Sequence, residues 1–253
     1  MNITEFYAFL ERLAPRSLSA PWDNDGIMCK ASSCDEVKKV LVALDATSGA
    51  IRKAAEGGYD VLLTHHPLIF KGLKSIAGED TVSSRAILAL SGGVSVISLH
   101  TRLDAADGGV NDALARAVGL DVSGKFGDSE TPELGRLCEI PETDADELAL
   151  RVKNALGCSA VRVTGSGKIC RAAVVGGEGK DFIIPAMKAG ADVLITGDAG
   201  YNACEAAAER GFCIIEAGHY HTEFPVCAIL AKYINALGIT ADVYAECPNR
   251  FIL

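Results

Sequence analysis

Short apolar segments alternate with helix-forming segments through the first 120 residues, and this order restricts the fold more than any other feature. The pattern predicts strands at 37–44, 61–64 and 94–99, and helices at 3–13, 50–56, 83–90 and 109–118. Nearly all the strand residues are apolar, which is typical of strands covered on both faces. Since a helix follows each strand, we expect neighbouring strands to run parallel, with helices on the faces of an α/β sheet.

The sequence changes character near Gly124. Residues 125–133 are mostly polar and contain glycine and proline, which indicates a linker. Strand and helix patterns then follow in the order β-α-β-β-α-β, which is the order of a ferredoxin-like unit. We therefore predict a larger α/β domain, built from residues 1–125 and 196–253, with a smaller α/β domain inserted at residues 126–195.

The five histidines fall at two pairs and one single position, each shortly after a predicted apolar strand: 65, 66, 100, 219 and 221. Ligands bind at the carboxyl ends of strands in open α/β sheets. A single histidine at such a place is more often a hydrogen-bonded structural residue than a ligand. Five histidines at equivalent places favour a metal site, which we predict to lie in the larger domain.

The segment Thr64-His65-His66-Pro67 provides two candidate ligands. Side chains of adjacent strand residues point to opposite faces. Pro67 favours an extended conformation at His66, so the two rings are expected to reach two neighbouring metal ions. A surface His-Pro turn is the alternative, but the preceding apolar strand argues against it.

Carboxylates complete the predicted ligand set. Asp104 can bridge two cations, although an aspartate before two glycines also suits an ordinary turn or helix cap. His219 and Glu223 have the spacing that places two groups on one face of a helix. Because Pro225 indicates a helix that begins only near 222–224, the turn before it is expected to position His219. Glu223 could alternatively serve only the helix N-terminus.

We therefore predict two divalent metal ions per subunit, held by five residues: His65, His66, Asp104, His219 and Glu223. Imidazole and carboxylate ligands without thiolates suit Zn, Fe, Mn, Co or Ni, and the sequence does not distinguish among them. His100 and Asp45, each after another predicted strand, are candidate catalytic residues for proton transfer. His221 lies outside the ligand pattern and is a candidate substrate contact.

Composition excludes several classes of function. The formal net charge is −9 and no cluster of Lys or Arg occurs, so we do not expect nucleic acid as a partner. No apolar run reaches 18 residues, and the N-terminus lacks the order of a secretory signal, which predicts a cytoplasmic protein without membrane contact. The nine cysteines include no C-x-x-C pair, and we expect buried free thiols.

Five segments together resemble the Nif3-like family, whose members are often called GTP cyclohydrolase 1 type 2 homologs: WDNDG at 22–26, LLTHHPLIFKGLK at 62–74, HTRLDAADGGVNDALA at 100–115, AGADVLITGD at 189–198 and AGHYHTE at 217–223. The resemblance implies a Nif3-like two-domain α/β fold, metals in the first domain and a homohexameric ring. It places the family's metal ligands on the same five residues. It also implies a reaction, in which hydroxide attacks the imidazole carbon of guanine in GTP and opens that ring.

Three positions depart from the family pattern. Arg102 replaces a common Asn, Asp25 follows WDN where a small or apolar residue is common, and Asn202 replaces a frequent His. Arg102 is expected either to pair with Asp104 or to contact a substrate phosphate.

Three functions remain open at this point. The first is a metal-dependent hydrolase that acts on a nucleotide or related small molecule, with the metals activating water. The second is a non-catalytic metal-binding ring that serves as a scaffold or regulatory protein. The third is metal storage or delivery. Coordination positions left for water favour the hydrolase.

Overall fold

The computed structural model of the chain describes residues 1–32, 34, 36–249 and 252. The helices and strands of these residues are, in chain order, α1 (Ile3–Leu13), β1 (Gly26–Cys29), β2 (Lys39–Ala43), α2 (Ser48–Glu56), β3 (Val61–Thr64), α3 (Thr81–Ser91), β4 (Ser95–Ser98), α4 (Thr101–Ala105), α5 (Val110–Ala117), β5 (Val122–Phe126), β6 (Gly135–Asp144), α6 (Ala145–Leu156), β7 (Arg162–Thr164), β8 (Lys168–Glu178), α7 (Ile183–Lys188), β9 (Val193–Asp198), α8 (Tyr201–Ala208), β10 (Cys213–Glu216), α9 (His219–Glu223), α10 (Pro225–Asn235) and β11 (Thr240–Tyr244). The predicted α/β class is confirmed, with mixed sheets.

The chain forms two compact units. The first contains Met1–Leu103 and Cys227–Glu246, and the second contains Asp104–Val226 and the end of the chain from Cys247. Most of the second unit is therefore inserted into the sequence of the first. The predicted division into residues 1–125 plus 196–253 and residues 126–195 uses other boundaries. That division stays a prediction.

The first unit has a five-stranded sheet with the strand order β1-β4-β3-β2-β11. β4, β3, β2 and β11 run parallel, while β1 is antiparallel to β4 at one edge. Leu62 and Val96 of the sheet share a buried cluster with Ile51 of α2 and Ala86 of α3. Helices thus cover these strands, as the apolar strand sequences predict.

The strand register brings three strand ends into one row. Ala43, Thr64 and Ser98 are neighbours across β2, β3 and β4. The hydroxyl oxygens of Thr64 and Ser98 lie 2.8 Å apart and join two of these strand ends. The residues that follow each strand, including His65, therefore leave the sheet at the same edge.

The second unit has a six-stranded sheet with the strand order β5-β6-β8-β9-β10-β7. The predicted β-α-β-β-α-β order is confirmed by β6, α6, β7, β8, α7 and β9. Asp144 caps α6 by accepting a hydrogen bond from the Glu147 amide, and Gly157 ends it with a φ of 66°. Separate apolar clusters contain Val174 and Leu194 of this sheet.

One local prediction in the second unit is wrong. Residues 122–126 form the edge strand β5, which pairs with β6, although we expected a linker from residue 125. The strand is largely exposed and contains Gly124, so its sequence lacks the apolar signature of a buried strand. Gly176 and Gly177 lie within β8, where the register shifts between Val175 and Glu178.

The cysteines are free, in agreement with the prediction, and most are buried. Burial raises the pKa of the Cys138 thiol to about 12, which disfavours the thiolate form that binds metals. Within the described ranges, no helix combines the length and the apolar character that crossing a membrane requires.

Candidate metal centre

Three histidines of the first unit lie together beyond the ends of β3 and β4. The ring centroids of His65 and His66 are 4.9 Å apart, and those of His65 and His100 are 5.3 Å apart. One ligand atom from each ring lies within 4.8 Å of the others. The first unit by itself therefore gathers three nitrogen donors that could hold a metal ion.

The hydrogen bonds of His65 and His66 determine which nitrogen each ring presents. The Nδ1 of His65 lies 2.9 Å from the carbonyl oxygen of Leu99, and the Nδ1 of His66 lies 2.8 Å from a carboxylate oxygen of Asp45. Because these oxygens only accept, each Nδ1 carries the hydrogen and donates it. Nε2 then keeps the lone pair that binds metals, and histidine ligands commonly have this arrangement.

His100 is oriented by a carboxylate that the sequence analysis did not assign. Its Nδ1 lies 2.8 Å from Asp23, which also accepts hydrogen bonds from the amide and the hydroxyl of Thr101. Burial alone would raise the pKa of Asp23, but the bonds from His100 and Thr101 outweigh it and lower the pKa to about 2. Asp23 is therefore a stable anion that holds the proton on His100 Nδ1. Its position directly after Trp22 in the WDNDG segment was the only sequence signal.

Arg102 takes part in a buried ionic cluster of the first unit. Its side chain is fully buried, with Nε 3.0 Å from Asp25 Oδ2, and it also pairs with Glu11. A second nitrogen donates to the hydroxyl of Tyr7 at 3.0 Å. Burial leaves no surface for a substrate phosphate, so that prediction is wrong. The ionic partners are Asp25 and Glu11, whereas Asp104 was the partner named from the sequence. Arg102 and Asp25, two of the residues that depart from the family pattern, therefore pair with each other.

The second unit brings His219 and Glu223 together in α9. His219 Nε2 lies 3.2 Å from Glu223 Oε2, one helical turn away, and His219 Nδ1 lies 3.2 Å from Asp198 at the end of β9. α9 begins at His219, where we expected a turn, whereas the helix expected from Pro225 is the separate α10, which begins at that residue. Gly218 precedes α9 with a φ of 86°, a conformation that glycine adopts readily.

Gly177 allows β8 to approach this pair closely. Its φ is +67°, and a Cβ there would lie 2.2 Å from Glu223 Oε1 and 3.1 Å from His219 Nε2. Its amide also donates to the hydroxyl of Thr222 at 3.1 Å. Glycine is therefore favoured at this position, because a larger residue would adopt a strained φ and would displace the Glu223 carboxylate.

Asp104 lies in α4 and is mostly buried. Its carbonyl accepts a 3.2 Å hydrogen bond from Asn111, whose side-chain oxygen accepts one from the Gly176 amide at 2.7 Å. Asn111 is fully buried and joins α4 to β8, a role that the sequence did not indicate. His221 is half-buried, and burial lowers its pKa, so the neutral ring is favoured.

Taken separately, each unit offers donor groups of the kind that divalent transition metals bind. The first unit offers imidazole nitrogens whose tautomers are set by hydrogen bonds, and the second offers His219 with the buried Glu223 carboxylate. Imidazole and carboxylate donors are those preferred by borderline divalent cations.

Comparison with known proteins identifies relatives over nearly the whole chain. A GTP cyclohydrolase 1 type 2 homolog of Clostridium acetobutylicum is 31% identical, with 98% of this chain and 97% of that protein aligned. One from Clostridium perfringens is 32% identical, with 93% of this chain and 92% of that protein aligned.

Solved structures agree with the sequence comparison. Staphylococcus aureus protein SA1388 has a TM-score of 0.88 and 26% identity, covering 100% of this chain and 99% of its own. HcgD from Methanocaldococcus jannaschii, in its reduced form, has a TM-score of 0.83 and 26% identity, covering 96% and 97%. The Duf34/NIF3 (NGG1p interacting factor 3) family model matches residues 1–246, and the chain belongs to this family.

Proposed function

We propose that the chain is a dinuclear metal-dependent hydrolase that acts on a nucleotide or related small molecule. Two divalent ions would be held by five residues: His65, His66, Asp104, His219 and Glu223. The observation that carries the proposal is the hydrogen bonding of the first pair, in which each Nδ1 donates to an oxygen and each Nε2 keeps its lone pair. The name that the relatives carry, GTP cyclohydrolase 1 type 2 homolog, supports GTP as the first substrate to test.

The residues around the histidines provide proton transfer. When bound, the two metal ions supply Lewis acidity and activate water. Asp23 holds a proton on His100 Nδ1, so His100 Nε2 is the atom that would accept and return a proton during the reaction. Asp45 accepts a hydrogen bond from His66 and is 39% exposed, so it would exchange protons with solvent. With GTP as substrate, the bond broken would be at the imidazole carbon of guanine.

The assembly forms a further part of the proposal. Family resemblance supports a homohexameric ring in the cytoplasm, with one dinuclear centre per subunit. Light scattering of the purified protein measures the subunit number directly. A monomer or dimer at micromolar concentration would contradict the ring.

Metal content and turnover test the centre itself. We expect wild-type protein reconstituted with Zn, Mn, Fe, Co or Ni to hold two ions per chain and to hydrolyse GTP or another nucleotide. His66→Ala should lose metal and activity, whereas His221→Ala, a matched control outside the ligand set, should keep both ions. Elemental analysis that finds two ions in His66→Ala contradicts the ligand assignment. Full metal loading without turnover of GTP, nucleotide phosphodiesters or small amides contradicts the hydrolase and favours the non-catalytic metal-binding protein.

A further inference from the structure

Two large aromatic side chains of the first unit are held in solvent beside His100. Trp22 is 55% exposed and Phe70 is 44% exposed. Their ring centroids lie 6.1 Å apart, and they lie 6.4 Å and 6.0 Å from the His100 ring. Large apolar groups gain free energy by burial, so two neighbouring exposed rings indicate a surface that is covered when the protein functions.

The contacts of the loop that carries Trp22 hold its side chain in solvent. The three residues after the tryptophan all direct polar atoms toward the protein. Asp23 accepts from His100 and Thr101, and Asp25 pairs with Arg102. Asn24 donates to the carbonyl oxygen of Ile69 at 2.5 Å, which ties this loop to the segment that carries Phe70. The polar neighbours therefore fix the backbone while the ring stays outside.

The geometry of the Trp22, Phe70 and His100 rings leaves room for one more planar group to stack. Trp22 and Phe70 meet at an interplanar angle of 74°, and each meets His100 nearly edge to face, at 73° and 87°. No two of these three rings stack face to face. The flat faces of the rings are therefore not occupied by one another and can stack on another planar group. Aromatic side chains offer such surfaces to planar bases regardless of base identity.

Charge in the same loop favours a nucleotide over a second copy of this chain as the occupant. Lys71 and Lys74 follow Phe70 and are exposed, whereas the chain as a whole has a net charge of −9. A planar base stacked on the rings would bring its phosphates near cationic side chains. A nucleotide carries its phosphate charge a short distance from one planar ring, which matches two exposed rings followed in the chain by two exposed lysines.

We infer that Trp22 and Phe70 form the subsite that stacks the heterocyclic base of a nucleotide, adjacent to His100. The inference rests on the proposed function, because it assigns the substrate's base to a place beside the candidate proton-transfer residue. It makes Trp22 and Phe70 specificity-determining residues, which select ligands by a planar ring.

Trp22 is the only tryptophan, so its fluorescence reports this subsite directly. The probes are GMP and ribose 5-phosphate, which share the phosphate and sugar but differ in the base. We expect saturable quenching by GMP and none by ribose 5-phosphate, both for protein as purified and after EDTA treatment. Phe70→Ala and Phe70→Leu should each weaken GMP binding about tenfold, since leucine keeps apolar bulk but lacks an aromatic face. Tyr201→Ala, at a 77% exposed aromatic in the second unit, should bind as wild type.

Three results would overturn the inference. The first is equal quenching by ribose 5-phosphate, and the second is unchanged GMP affinity in both folded Phe70 variants. The third is a changed oligomeric state of the Phe70 variants with unchanged GMP affinity, which would identify the rings as a contact between copies. Stacking-dependent GMP binding without turnover contradicts only the hydrolase proposal. Turnover that persists together with one of these three results contradicts only the subsite.

Discussion

Removal of Asp25 should destabilise the first unit strongly, because it leaves Arg102 buried with too little negative charge. Both side chains are fully buried, and Arg102 Nε lies 3.0 Å from the carboxylate. Removing one partner of a buried ion pair costs about 3–5 kcal/mol of stability, because the remaining charge stays buried without its counter-charge. Arg102 keeps Glu11 and the Tyr7 hydroxyl as partners. We therefore expect Asp25→Ala to lower the free energy of unfolding by about 3 kcal/mol, the lower end of that range.

The double variant separates charge pairing from simple loss of packing. Asp25→Ala with Arg102→Asn removes both buried charges together. The partners left behind, Arg16 and Glu11, have side chains that are 50% and 33% exposed and can be solvated. The double variant should therefore cost about 1–3 kcal/mol less than the sum of the two single variants.

Denaturant unfolding followed by Trp22 fluorescence measures these costs, because the only tryptophan lies in the first unit. A loss of about 3 kcal/mol corresponds to a urea midpoint lower by about 1 M or more, and to a Tm lower by about 6–12 °C. An Asp25→Ala midpoint equal to that of wild type would refute the reasoning. Additive effects of the two substitutions would also refute it, since independent sites do not compensate each other.

Three further predictions concern glycine, tyrosine and cysteine positions. Gly177→Ala should lower metal content and stability, since its Cβ would lie 2.2 Å from Glu223 Oε1. Tyr59→Phe should flatten the alkaline fall in stability. Burial and a carboxylate partner raise the Tyr59 pKa from 10.0 to about 12, so the stabilisation, about 2–3 kcal/mol, is complete below pH 10 and lost as pH rises toward 12. A thiol reagent should modify exposed Cys170 first and most other cysteines only after unfolding.

Each of these predictions has its own control and contrary outcome. Gly157 has a φ of +66°, but a Cβ there would meet no atom within 4 Å, so Gly157→Ala tests backbone strain without the clash. Equal metal loss in both glycine variants would contradict the role of close approach. Identical unfolding free energies of wild type and Tyr59→Phe between pH 10 and pH 12 would contradict the tyrosine prediction. Rapid labelling of buried Cys138 in the folded protein would contradict the cysteine prediction.

Local sequence patterns predicted most of the fold. β3 forms at Val61–Thr64, where the apolar run placed it, and α2 begins after Thr47, whose side chain accepts from the Ala50 amide as a capping residue should. These elements depend on hydrophobic pattern and capping, which neighbouring residues encode. β1 and β5 were not predicted, because edge strands are partly exposed and their pairing partners are distant in sequence.

By itself, the sequence determined the α/β class, the family and the position of each histidine after an apolar strand. Tertiary structure decided which groups those histidines meet. The register of β2, β3 and β4 puts Asp45 against His66, and the fold of the N-terminal segment puts Asp23 against His100. Arg102 and Asp25 lie far apart in sequence, so their pairing became visible only in the folded chain. Spacing encodes local geometry, whereas contacts between distant residues depend on how the strands pair and how the connecting loops pack.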